Sequence, residues 1–191
     1  GHRLVPKAIH KVRADSFVVQ TNIHHPTESS LILDGTRKVI ELCGELAPAF
    51  DLPGWRQEAH WFKKIKQLVR HIGRHARSKS AKRQQQVKQS YQQLLRRAAT
   101  VLNRAGELVQ TLETTYELDV VASTQVAELQ VFIARTQQVC GTAHRRVVLG
   151  EQVPNCDKLF SIFEPHTQLY QRGKAGEPVQ FGRLVLIYED Q

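Results

Sequence analysis

The chain has 191 residues, enough for one domain or for one domain carrying a large insertion. Its 41% apolar content allows a real core, and the lack of any run of about 18 apolar residues argues against a transmembrane helix. A net charge of +9 points to anionic partners, and the opening Gly1-His2-Arg3-Leu4 has no apolar segment of the kind a secretory signal needs.

In chain order, residues 12–22 read as a strand, with β-branched Val18 and Val19 inside it and Asn22 and Pro26 breaking it. A helix is expected from Glu28 to Ala47, because Leu31/Ile32, Val39/Ile40, Leu42/Cys43 and Leu46 fall at helical spacing and Pro48 ends it. Phe50 to Gly54 is a loop. Trp61/Phe62, Ile65, Leu68/Val69 and Ile72 then form an apolar stripe. A stricter seam follows at Val87, Tyr91, Leu94, Ala98, Val101, Ala105, Leu108 and Leu112, and another at Val126, Leu129, Ile133, Thr136, Cys140, Ala143 and Val147. With a turn near Asp119 to Ser123, the two seams predict an antiparallel helical hairpin. Gly106 lies inside it at a cost of about 1 kcal/mol relative to Ala. Past Pro154 the pattern returns to strand, at Leu159 to Phe163 and at Val179 to Tyr188, with Gly182 as a candidate bulge. Between these strands, residues 172–178 read as a basic, glycine-containing loop.

The charge is concentrated. From His60 to Arg104 there are 13 Lys and Arg residues and no Asp or Glu, whereas the rest of the chain carries 14 basic and 18 acidic residues. Ordinary solvated helices mix both signs, so this segment is expected to meet a polyanion, with salt-dependent binding. A membrane surface is a poorer fit, because the densest part, Arg74 to Lys88, has almost no apolar face. Cys43, Cys140 and Cys156 are odd in number and widely spaced, which suggests reduced thiols in a cytoplasmic protein. The chain contains no Met, and its last segment, Arg183 to Tyr188, reads as a buried strand three residues from the final Gln191. Both features suggest a piece of a longer protein.

Asp15 stands early in an apolar strand, where Asp is disfavoured and where a carboxylate can be held rigidly as a metal ligand. The run from Asp15-Ser16 through Asn22-Ile23-His24-His25-Pro26-Thr27, continued by Leu31, Asp34 and Arg37, resembles the first-strand motif of bacterial insertion-sequence transposases with a DDE active site. A second block resembles that family's second and third strands: Phe160-Ser161-Ile162-Phe163-Glu164-Pro165-His166-Thr167, then Gly173-Lys174-Ala175-Gly176, then Pro178-Val179 and Phe181-Gly182-Arg183. The two blocks cover about a third of the chain and follow the family order.

The resemblance implies an α/β (α+β) chain with a partial, three-stranded ribonuclease H-like sheet, interrupted after its first strand by a helical insertion. Residues 1–50 would supply the first strand and helix, 51–153 the insertion, and 154–191 the second and third strands. It implies Asp15 as the first of three carboxylates holding two Mg²⁺ or Mn²⁺ ions about 3.5–4 Å apart, which activate water or a DNA 3′-hydroxyl. The other two carboxylates lie downstream of the third strand in that family, and Glu189 and Asp190 match neither. It also implies duplex DNA at transposon ends as partner, a dimer or larger assembly on that DNA, and a place on the bacterial nucleoid.

Backbone contacts to DNA are expected from Arg74, Arg77, Lys79, Lys82 and Arg83 in the basic segment and from Arg172 and Lys174 in the glycine-containing loop. His24 and His25 are read mainly as loop structure. His71 and His75 lack the third ligand of a zinc site, and Cys140 is read as core. The competing reading is a non-enzymatic helical protein that binds nucleic acid or dimerises through the 87–112 seam.

Overall fold

The computed structural model describes residues 12–55, 58–174 and 176–190. The elements in chain order are β1 (Val12–Gln20), α1 (Glu28–Ala49), α2 (Glu58–His75), α3 (Ala81–Thr115), α4 (Val120–Ala143), β2 (Gln168–Lys174) and β3 (Glu177–Asp190). The α+β class expected from the sequence is present. No helix among the described residues is long and apolar enough to cross a membrane.

The helix starts follow local chemistry. Thr27 Oγ1 accepts from the Ser30 N–H at 3.1 Å while Ser30 Oγ accepts from the Thr27 N–H at 3.1 Å, a reciprocal cap for α1. The helix runs one residue past Pro48 to Ala49, rather than ending at Ala47. Its last turn closes through the Phe50 and Leu52 N–H groups, which donate to Ala47 O at 3.3 and 2.8 Å. The break between α3 and α4 falls at Tyr116–Asp119, and Asp119 Oδ1 accepts from the Ala122 N–H at 2.7 Å to start α4. Beyond Ala143 the helix widens into a π turn, His144–Leu149, closed by Gly150 at φ 77°.

The two seams form the expected antiparallel hairpin. Gln130 Nε2 donates to Glu113 Oε1 near its turn, and Leu95 and Leu102 flank the same cavity as Cys140 and His144 at its far end. The 87–112 seam is not open to a partner. From Tyr91 to Leu112 its residues are buried against this chain's own α1, α2 and α4, which removes the surface that dimerisation through it would need. Helix α1 crosses α4 closely at Gly35, where an added Cβ would lie 2.2 Å from Thr136 Oγ1.

The sheet has the order β1-β3-β2 and is antiparallel throughout. Three sequence expectations change here. Leu159 to Phe163 is not a strand. Ile162 is buried in the helical core, its carbonyl accepting from Arg135 Nη1 at 2.9 Å, and Ser161 Oγ accepts from the Glu164 N–H in a turn. The short apolar run thus anchors the chain to the helices, and the strand lies further on, at Gln168–Lys174. Residues 172–174 and 177–178 are strand rather than loop: β2 extends through Lys174 and β3 begins at Glu177, just after Gly176 at φ 90°. Gly182 is not a bulge, since it stays in register with both Gln20 and Gln168, and the irregularity falls between Gln171 and Lys174. What requires glycine at 182 is close approach, because a Cβ there would lie 2.0 Å from Val19 O.

Strand β3 was expected to be buried, and it is the central strand. Yet Leu184, Leu186, Ile187 and Tyr188 are 50%, 49%, 52% and 66% exposed. The core lies among the four helices and the 159–162 segment, and the sheet stands at its margin.

Candidate metal-ligating strand and nucleic-acid interface

Asp15 lies opposite Ile187 in the β1–β3 register, so Asp15, Phe17, Val185 and Ile187 share one face of the sheet. Its side chain is exposed, and Oδ1 accepts from the Ser16 N–H at 2.7 Å. Glu189 pairs with Arg13, one step along the same face. Among the described residues no group of three or more His, Cys, Asp or Glu side chains is arranged to hold a metal ion. A hard divalent ion takes several oxygen ligands, and on this face of the sheet Asp15 supplies one exposed carboxylate.

The two blocks behind the transposase resemblance meet in space. Thr167 Oγ1 donates to Thr21 Oγ1 at 3.1 Å, and the Thr21 N–H donates to Phe181 O at 3.0 Å. The His25 ring stands edge-on to Phe181 with centroids 5.6 Å apart, and the Phe160 ring lies tilted against Phe181 at 5.7 Å. Together they border a groove of about 400 Å³ between the hairpin of β2 and β3, the start of α1 and the end of α2. His24 Nε2 lies 3.6 Å from Asp34 Oδ2. Burial raises the Asp34 pKa against the opposing pull of His24 and Arg37. The two histidines thus tie the loop after β1 to α1 and β3.

The expected DNA-contacting cations of the insertion gather at one turn. Helix α2 ends at His75 and α3 begins at Ala81, so Arg74, Arg77, Lys79, Lys82 and Arg83 surround the same tip, all exposed. None of the five is in an ion pair among the described residues. The first turn of α3 carries no acid and Ser80 makes no side-chain cap there, which leaves the positive end of a 35-residue helix beside the cations. Arg172 and Lys174 lie on β2, near the hairpin turn, and their side chains are outside the described residues.

His71 and His75 serve packing. Ser90 Oγ lies 2.9 Å from His71 Nδ1, and the two imidazoles stack edge to face at 4.7 Å. Burial pushes the Cys140 thiol up to about 12, as suits a core cysteine. No disulfide joins the three cysteines.

Nothing in the sequence signals the ion pairs that follow α4. At the π turn, Arg146 pairs with Glu28 at 2.5 Å, and Arg145 pairs with Glu151 and Asp157 at 2.8 and 3.2 Å. The first pins the π turn after α4 to the start of α1, beside the groove, across 118 residues, and the other two tie the same turn to the segment that follows it.

Compared with family models, curated proteins and solved structures, the chain matches none.

Proposed function

We propose that this chain is part of a DDE-type DNA transposase, with β1, β2 and β3 as part of a ribonuclease H-like sheet and the α2–α3 turn as a duplex-binding tip. The observation that carries the reading is the convergence of the two motif blocks. Residues 21–25 and 160–181 are far apart in sequence, yet they meet at the end of the strand that bears Asp15.

In this reading Asp15 donates a carboxylate oxygen to a Mg²⁺ or Mn²⁺ site whose other two carboxylates lie downstream of β3. Two such ions would activate the attacking oxygen and stabilise the leaving one. The Ser16 N–H fixes the orientation of the Asp15 carboxylate. The tip cations neutralise phosphates and hold the duplex, while releasing counterions. The proposed partners are transposon ends and further copies of the protein, on the bacterial nucleoid.

The test is to incubate the protein encoded by the complete reading frame with linear duplex carrying the element's ends. Nicked and joined products are expected with Mg²⁺ or Mn²⁺ and are expected to vanish with EDTA. Products that persist in EDTA, or none with either ion, contradict the proposal.

A further inference from the structure

We infer that the exposed face of α2 is a linear phosphate-contacting surface that extends the basic tip and lays the helical body along duplex DNA. The inference rests on the nucleic-acid reading above but adds Lys63, Lys66 and Arg70, which that reading does not use. Lys63, Lys66, Arg70 and Arg74 are separated by three, four and four positions, which stacks them on one side of the helix. All four are exposed, and Arg77 follows three positions later, at the turn. The opposite side of α2 is committed to the core through Ile65 and Ile72, with Leu68 and Val69 packed beside them.

The charges on this face are uncompensated. None of the four is in an ion pair among the described residues, and the sequence from 60 to 104 supplies no acid. Like charges at this spacing repel and cost the helix stability. A polyanion laid along the stripe removes that repulsion.

Geometry and composition select the polyanion. From Lys63 to Arg74 the stripe is about 17 Å long at 1.5 Å per residue. That exceeds the major-groove width of about 12 Å, so its two ends can reach phosphates on both strands. A single-strand surface would offer aromatic platforms for base stacking. Here Trp61 is half-buried, its ring covered by Arg104 Cζ at 4.3 Å and met edge-on by Trp55 at 5.6 Å, and Phe62 is half-buried beside Lys66. An anionic membrane would need a free apolar face to insert, and the apolar side of α2 is packed on the core through Ile65, Leu68, Val69 and Ile72. The surface therefore suits the backbone of a duplex, without base readout.

The test measures affinity for a short duplex of arbitrary sequence as a function of salt. Three chains are compared: the unaltered protein, Lys63→Gln/Lys66→Gln/Arg70→Gln, and the charge-preserving Lys63→Arg/Lys66→Arg/Arg70→Lys. At about 0.9 per phosphate contact, the glutamine variant is expected to flatten the slope of log K against log salt by about 2.7. That corresponds to about 40-fold less affinity lost between 50 and 200 mM salt. The effect is expected to be the same on unrelated sequences, with far-UV circular dichroism unchanged and the charge-preserving variant like the parent. Loss of the same size in the charge-preserving variant marks a structural effect and overturns the inference. An unchanged slope in the glutamine variant, alongside a flattened one for Arg77→Gln/Lys82→Gln/Arg83→Gln, refutes the stripe and leaves the DNA-binding reading standing. Failure of the unaltered protein to bind duplex at low salt sinks both. Tighter binding to single strands or to phosphatidylserine vesicles than to duplex overturns the choice of partner.

Discussion

In the helices, Ile32, Leu94, Leu112 and Leu129 are fully buried, whereas in the strands Phe17, Leu184, Leu186 and Ile187 remain between 42% and 52% exposed. Both regions are written in apolar residues. Each helix has one apolar side and finds neighbours for it within the chain. The three strands have apolar residues on both faces and neither is fully covered, so cross-strand pairs and the backbone ladder hold them. The helical body buries its apolar sides within itself, while the strands bearing Asp15 lie outside that core. Thr21, His25, Phe160 and Phe181 join β3 to the loop that leads into α1 and to the segment that follows the helices.

This contrast can be broken or sharpened by substitution. Leu129→Ala is expected to cost about 2–5 kcal/mol in urea denaturation, and Leu186→Ala about 1 kcal/mol or less. Equal losses would erase the distinction between the regions. Gly35→Ala drives a methyl against Thr136 at the α1–α4 crossing and is expected to cost about 1–3 kcal/mol. Thr136→Ala in the same chain should restore part of that, because it removes the nearest atom. A double variant no better than the single one would place the strain elsewhere. Gly106→Ala has open space around the added methyl and is expected to stabilise the chain by about 1 kcal/mol. A loss at that position would contradict an unstrained helical site.

Much of the fold was legible in advance because helical periodicity is a strong signal. The α3–α4 hairpin followed from two stepped seams, and the α1 boundaries fell within a few residues. The strands were harder to read. Phe160-Ser161-Ile162-Phe163 is short and apolar, and nothing local distinguishes a buried anchor from a strand. β2, at Gln168–Lys174, is polar and leaves a weak pattern. The exposure of Leu184 to Tyr188 depends on what covers the sheet, which local sequence does not encode. Asp15 was legible as an anomaly and through its motif. The meeting of residues 21–25 with 160–181, and the pairing of Arg146 with Glu28, are tertiary facts with no local trace. The basic segment was visible as composition. Its division into a tip at 74–83 and a stripe along α2 required knowing where α2 ends.

The most direct test of the account separates Asp15 from the cations. In the protein encoded by the complete reading frame, Asp15→Asn is expected to cut metal-dependent cleavage by at least about 100-fold, beyond the ~10–100-fold of an outer-shell partner. It should leave the affinity and salt dependence of duplex binding unchanged. Cleavage retained in Asp15→Asn, measured on the same DNA with Mg²⁺, would contradict the assignment of this strand as the metal-ligating one.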